Sequence, residues 1–312
     1  MSTLDIQQKI AIIFPCYNEE GVISKTVQKV KENINKQSFC AKFEYVFIDD
    51  GSTDNTLLEL FSLEQELSIS THTIQLARNF GKEAAIFAGI EYAKEKSFDG
   101  AVFMDADGQD DPETLVVMLN EFFTGMYDDV YAKRILRKDS TKYKSKLIAW
   151  YYHLLNKNSR FQIEENVGDF RILSRHAIQE LVNLKESVRY TKGLFAYIGL
   201  RKKEVLMQRH ERIGGKSKWN LSKQISFALD GFVNFTELPY KFAVWVTVVL
   251  ALMLTIYNVY LLLDLRVFTV LTVGIDFLLA GLMMLSCVGV ITIKILMTIL
   301  EEVKSRSIYI KK

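Results

Sequence analysis

From Phe242 to Leu263 the chain runs for 22 residues without a charged side chain. At about 1.5 Å per residue, a helix of that length reaches ~33 Å, enough to cross a hydrocarbon core. A second apolar run extends from Phe277 to Leu300 and is broken only by Lys294, whose stem can carry its ammonium to an interface. No other stretch restricts the fold as much, because backbone in a bilayer must satisfy its own hydrogen bonds. Two buried helices of a soluble domain are the alternative, but charge-free runs of this length are rare there. Lys216, Lys218, Lys223 and Lys241 precede the first run, and Lys304, Arg306, Lys311 and Lys312 follow the second. The connection has one base, Arg266, against Asp264 and Asp276. The positive-inside rule then predicts a multi-pass protein of the cytoplasmic (inner) membrane, with its large N-terminal part and both termini cytosolic.

This reading divides the chain. Residues 1–219 form a cytosolic domain, and 220–241 a juxtamembrane segment. Spans at 242–264 and 275–300 flank an external loop, 265–274, and 301–312 is a basic cytosolic tail. Leu221–Tyr240 places Lys223, Asp230 and Asn234 among apolar residues, so it is either an amphipathic helix lying at the interface or an ordinary connecting helix. Two thin spans bury little against each other, which makes self-association a hypothesis.

The remainder excludes several classes. A net charge of +2 gives no basic field for nucleic acid. Cys16, Cys40 and Cys287 are scattered and form no C-x-x-C pair, so neither a disulfide framework nor a zinc site is expected. His72, His153, His176 and His210 have no metal-ligand spacing. No G-x-G-x-x-G follows the first apolar run, and no P-loop occurs.

The first hundred residues repeat one pattern: a short apolar strand, a polar loop, then a helix. Strands are predicted at Ile10–Phe14, Tyr45–Ile48, His72–Leu76 and Gly100–Met104, with helices at Val22–Ile34, after Asp54 and at Ala84–Lys94. Such alternation implies an α/β fold, a mostly parallel sheet with helices on both faces. Ligands of such sheets bind outside the carboxyl ends of the strands. The loops beginning at Pro15, Asp49, Arg78 and Asp105 therefore converge on one rim. They bring Tyr17, Glu19, Asp49, Asp50, Arg78 and Lys82, a set suited to a nucleoside diphosphate. Asp105 and Asp107 lie two apart after a strand, where both can turn toward one hard cation such as Mg²⁺ or Mn²⁺. Alone, D-x-D is more often an acidic turn; its place on a shared rim argues for the metal.

Three segments carry a resemblance: Pro15-Cys16-Tyr17-Asn18-Glu19-Glu20, Asp49-Asp50-Gly51-Ser52-Thr53-Asp54, and Asp105-Ala106-Asp107-Gly108-Gln109-Asp110. They resemble the signature of inverting family-2 glycosyltransferases with a GT-A fold, in particular the polyprenyl-phosphate type that includes bactoprenol glucosyltransferases and dolichol-phosphate mannose synthases. Gly168-Asp169-Phe170-Arg171 and Arg212-Ile213-Gly214-Gly215-Lys216-Ser217-Lys218 resemble later motifs of that family in the same order, and two C-terminal spans match its bactoprenol branch. Gly108 stands where the family usually has leucine, and Tyr131-Ala132-Lys133-Arg134 lacks the usual Gly-Ser, so only Arg134 carries over there.

The resemblance implies transfer of a sugar from a nucleotide-sugar to a membrane polyprenyl (undecaprenyl) phosphate, as a step in building a cell-envelope glycan. UDP-glucose is the expected donor, with GDP-mannose, a UDP-N-acetylhexosamine or a UDP-amino-pentose as alternatives. It implies Asp105, Asp107 and Gln109 as ligands of a divalent metal. Pro15, Tyr17, Asn18, Glu19, Asp49, Asp50, Arg78, Lys82, Asp105 and Ala106 would contact the donor. Arg134, Arg212 and Lys218 would meet the acceptor phosphate, and Asp169, Arg134 and Arg171 would act in catalysis. Asp169 either aligns or activates the acceptor or is a structural carboxylate paired with Arg171 or a backbone amide. A processive polysaccharide synthase would need a Q-x-x-R-W stretch and more spans. A non-catalytic scaffold binding nucleotide-sugars is the rival from another class.

Overall fold

The computed structural model describes residues 7–135, 142–159, 161–184, 191–208, 236–262, 267–304 and 307–312. The chain divides into two compact units. The first comprises Met1–Tyr152, Phe161–Asn220 and Ser307–Lys312. The second comprises His153–Arg160 and Leu221–Arg306.

In the first unit β1 (Gln8–Cys16), β2 (Ala41–Asp49), β3 (Thr71–Gln75) and β4 (Gly100–Phe103) alternate with α1 (Ile23–Asn35), α2 (Thr56–Leu67) and α3 (Lys82–Glu95). Then come α4 (Pro112–Phe123), β5 (Asp129–Arg134), α5 (Lys142–Asn158, which runs into the second unit), β6 (Val167–Ser174), α6 (Arg175–Asn183), α7 (Thr191–Tyr197) and β7 (Lys202–Met207). The four strands and three helices expected in the first hundred residues are all present, some with ends extended by a few residues and β3, β4 and α1 shorter by one at one end. The runs Ile10–Phe14 and Val46–Ile48 are buried on both sides, as strands covered by helices on each face should be.

The sheet order is β3-β2-β1-β4-β6-β5-β7. All neighbours among β1 to β4 are parallel, and β5 is parallel to β7. β6 runs antiparallel to both β4 and β5. That reversal has a functional consequence: the start of β6 lies at the carboxyl rim of its neighbours, so Gly168 and Asp169 share an edge with the residues that follow β4 and with Arg134 at the end of β5. A core of Ile12, Phe14, Phe47, Val102, Leu119 and Ile172 holds this rim rigid from below. The chain end returns to this unit: Leu76 and Lys311 form an antiparallel bridge, the Ala77 amide donates to Ile310, and the Lys312 amide donates to Gln75.

The second unit contains α8 (Leu238–Leu262) and α9 (Val267–Lys304). Both are long and apolar enough to cross a membrane, over Lys241–Val259 and Val273–Met297. Leu252, Leu254, Ile256, Leu278, Met283 and Val290 are exposed, as lipid-facing residues would be. The connection is shorter than 265–274: the helix has already resumed at Val267. The membrane-length part of that helix runs over Val273–Met297, so its first residues, Val267–Thr272, are helix ahead of the span. Most of the 220–241 segment, with Arg212 and Lys218 before it, lies outside the described residues.

Candidate active site

The site begins with the loop after β4. Asp111 caps α4 by accepting from the Glu113 and Thr114 amides, with Pro112 in the first turn. The Asp105 amide donates to Asp110 at 2.9 Å and the Gln109 amide to Asp107 at 3.0 Å, closing a tight carboxylate-rich turn. Gly108 sits at φ +73°, in the left-handed region where leucine would be strained. The departure from the family's usual residue thus suits the turn this chain makes.

The first two loops are stitched together. Asn18 accepts from the Thr53 amide, the Asn18 amide donates to Ser52, and the Glu19 amide donates to Thr56. Asp50 accepts from the Phe80 and Gly81 amides at 2.7 and 2.9 Å, which fixes the Arg78–Gly81 loop to the end of β2. Gly51 permits that approach, since a Cβ there would lie 2.5 Å from the Arg78 carbonyl carbon. Asp49 is fully buried and accepts from the Ser52 amide; its other oxygen has no hydrogen-bond partner. Arg78 is exposed, with its guanidinium 4.1 Å above the Phe80 ring. Pro15 is the next-to-last residue of β1, before Cys16; Tyr17 is half-buried next to them, and the buried Ala106 accepts from Thr26 through its carbonyl.

At the centre is Lys82, the first residue of α3. Its Nζ lies 2.6 Å from Asp105 Oδ1 and 2.6 Å from Asp169 Oδ2. One ammonium thus joins the D-x-D loop to the start of β6. Burial pushes this lysine toward its neutral form, but Asp105 and Asp169 together hold it charged and well above the ordinary lysine range. Burial likewise disfavours the Asp169 charge; Lys82, Lys192 and Arg171 outweigh it and keep the carboxyl well below the ordinary range. Asp110 moves the other way, up to about 7, through burial and the neighbouring Asp105 charge. One of its oxygens is buried and unpartnered.

Arg134 and Arg171, grouped together by sequence, part company. Arg171 is buried in an ion pair with Asp129 at 2.8 Å, and its guanidinium stacks 3.5 Å from the Phe195 ring centre. Asp169 is therefore paired with Lys82 rather than Arg171. Arg134 stays at the rim, close enough to Gly168 that a Cβ there would lie 2.7 Å from Arg134 Nη2.

Asp105 and Asp107 are suited to a hard divalent ion. They are oxygen donors on one turn, and the unpartnered Asp110 oxygen on the same turn shows that the loop holds more carboxylate than its own amides satisfy. Among the described residues no third acidic, His or Cys ligand joins them into a complete cage, so phosphate and water oxygens would have to fill the sphere. Sequence reasoning missed Glu83 and Lys192. The Glu83 carboxylate accepts from the Thr191 amide at 3.0 Å and from the Thr191 hydroxyl, 108 positions along the chain. No local pattern around Thr191-Lys192-Gly193 signals this.

A GT-A sheet with a D-x-D turn and a cation-bridged acidic residue at its carboxyl rim defines a nucleotide-sugar transferase class. The chain belongs to glycosyl transferase family 2, whose profile matches residues 11–182. It is 32% identical over 311 residues to an uncharacterized glycosyltransferase of Synechocystis sp., covering 97% of this chain and 94% of that one. It is 33% identical over 310 residues to the SfII prophage-derived bactoprenol glucosyl transferase of Shigella flexneri, covering 97% of each. Among solved structures, glucosyl-3-phosphoglycerate synthase from Mycobacterium tuberculosis, in complex with Mn²⁺, UDP and phosphoglyceric acid, aligns with a TM-score of 0.49 at 16% identity, covering 72% of this chain and 76% of that one.

Proposed function

We propose that this glycosyltransferase moves a sugar, glucose from UDP-glucose in the first instance, onto the phosphate of a membrane polyprenol with inversion at the anomeric carbon. The observation that carries the reading is the Lys82 bridge, because it sets a donor-diphosphate loop and an acceptor-side carboxylate against the same ammonium. Asp105 and Asp107, with Gln109 beside them, would hold Mg²⁺ or Mn²⁺. When bound, that ion would neutralise charge on the departing diphosphate. Lys82 adds a cation on the same side, and the stitched loops of Asn18, Glu19, Asp49 and Asp50 would seat base and ribose.

The acceptor sets the other requirement. A phosphomonoester oxygen is largely ionised at pH 7, with a second pKa of about 6, so it can attack without losing a proton first. Asp169 fits this need: locked in its charged form, it is a poor proton acceptor and a good fixed charge for orienting the cations around it. Arg171, closed against Asp129, acts by holding β5 to β6 beneath the rim. The membrane reading is supported by the two apolar helices and by the chain leaving the first unit before them and rejoining it at Ser307. An even number of crossings leaves both ends on one side, the cytosolic side where nucleotide-sugars are found. Self-association belongs to the same reading, and crosslinking in mild detergent that gives only monomer would remove it.

The decisive assay incubates the membrane protein with radiolabelled nucleotide-sugars, Mg²⁺ or Mn²⁺ and undecaprenyl phosphate. A chloroform-soluble labelled lipid is expected from UDP-glucose and is expected to disappear in Asp107→Ala. No lipid label with any donor would overturn the reading, and undiminished label in Asp107→Ala would overturn the metal assignment.

A further inference from the structure

Most charges near Asp169 are already matched. Lys82 is held by Asp105 and Asp169, and Arg171 by Asp129. Two cations are left over. Among the described residues, neither Arg134 nor Lys192 has a carboxylate within ion-pair distance. The Arg134 Nε is buried without a hydrogen-bond partner. Asp169, Arg134 and Lys82 all act on the Lys192 charge, so the two cations lie within electrostatic reach of each other and of Asp169.

Lys192 is held there by a device. Thr191 donates from both its amide and its hydroxyl to the Glu83 carboxylate, and Glu83 directly follows Lys82. Thr191 is buried. The start of α7 is thereby latched to the start of α3, and Lys192 is fixed on the Asp169 side of the site. Two adjacent cations in a partly desolvated place repel each other, and the arrangement becomes favourable when an anion sits between them. An arginine fork beside a lysine point charge suits the oxygens of one phosphate.

We propose that Arg134 and Lys192 form a two-cation seat for the phosphomonoester of the acceptor, with the Thr191–Glu83 latch as its positioning element. The inference rests on the proposed acceptor and adds Lys192 to the groups that bind it. A phosphate could also come from the donor, and separate measurements distinguish the two sources. Lys192→Met is expected to raise KM for polyprenyl phosphate about ten- to a hundredfold, the size of one lost charge-assisted contact. KM for the nucleotide-sugar and calorimetric binding of the free nucleotide should stay within about twofold. Lys192→Arg should recover most of the loss. Thr191→Val should raise the acceptor KM less, whereas a merely structural latch would lower Tm and leave KM alone.

Binding of a short-chain isoprenyl phosphate without donor gives a readout independent of turnover. Wild-type protein is expected to bind it, and Lys192→Met about tenfold more weakly. A matching loss of nucleotide binding with unchanged acceptor KM would move the seat to the donor and overturn the proposal. So would no change in either, or no binding of the isoprenyl phosphate by the wild type. Lipid product from the wild type with kinetics unaltered in Lys192→Met would sink the seat while leaving the proposed reaction intact.

Discussion

Two cation–carboxylate contacts sit two residues apart along β6, and they are built on opposite principles. Arg171 and Asp129 are 3% and 1% exposed and closed on each other one to one. Lys82 and Asp169 are 33% and 17% exposed, and Lys82 also holds Asp105. The first pair is a buried structural contact, with the second Asp129 oxygen and the Arg171 Nε left unpartnered beside it; a desolvated charge there has nowhere else to go. The second is a shared contact with solvent access, one cation between two carboxylates, which the proposed site would let an incoming cation or phosphate redistribute. Identical chemistry thus serves support in one place and exchange in the other, and burial together with the number of partners tells them apart.

The sharpest way to break this comparison is to remove a partner from each. Arg171→Ala leaves Asp129 buried and uncompensated and should cost about 3–5 kcal/mol of stability. Thermal unfolding in detergent should show a large drop in Tm, or little folded protein. Lys82→Met should instead yield folded protein with a modest change in Tm, because its carboxylates reach solvent, but lower kcat about a hundredfold by the scale for losing one charge-stabilising group. Equal stability losses in the two variants would erase the distinction.

A smaller effect is expected where the rim is crowded. In Gly168→Ala the new methyl would meet the Arg134 guanidinium at 2.7 Å, and that flexible side chain must swing away. The fold should survive while KM for the acceptor rises severalfold, read in the lipid-labelling assay. The smallest effect is in pH dependence. Burial, with Asp169 beside it, lifts the Glu83 carboxyl from an ordinary 4.5 to about 8. Between those values the folded chain holds a proton that the unfolded chain has released, so this group makes stability fall as pH rises through that window. Glu83→Gln mimics the protonated form and removes the contribution. Its Tm should therefore decline less than that of the wild type between about pH 5 and pH 8.

Sequence reasoning reached the α/β sheet because its signal is local. Ile10–Phe14 and Tyr45–Ile48 are continuous apolar runs bounded by polar loops, and topology alone sends those loops to one rim. The two membrane-length helices were legible for the same reason, although the second helix begins at Val267, ahead of its apolar run. Asp105 and Asp107 were legible as a pair because they are neighbours in the chain. What could not be read was the pairing among distant charges. Lys82 could be placed near a diphosphate, but not between Asp105 and Asp169, since nothing in the sequence states that β6 runs antiparallel and delivers its first residues to the rim. Arg171 looked equivalent to Arg134 because both follow from motifs; the depth of each in the sheet is a property of packing. Lys192 had no signal at all, because its placement depends on a contact between Thr191 and Glu83 across 108 positions.

The returning tail has a bearing on solubility. β3 ends the sheet on one side, and an open strand edge is a template for another chain. Here the Ala77 amide and the Gln75 carbonyl are already taken by Ile310 and Lys312, and Leu76 bridges Lys311. A second molecule approaching that end of the edge meets occupied hydrogen bonds and the charges of Lys311 and Lys312, so Ile310–Lys312 guards that end of the edge against other copies.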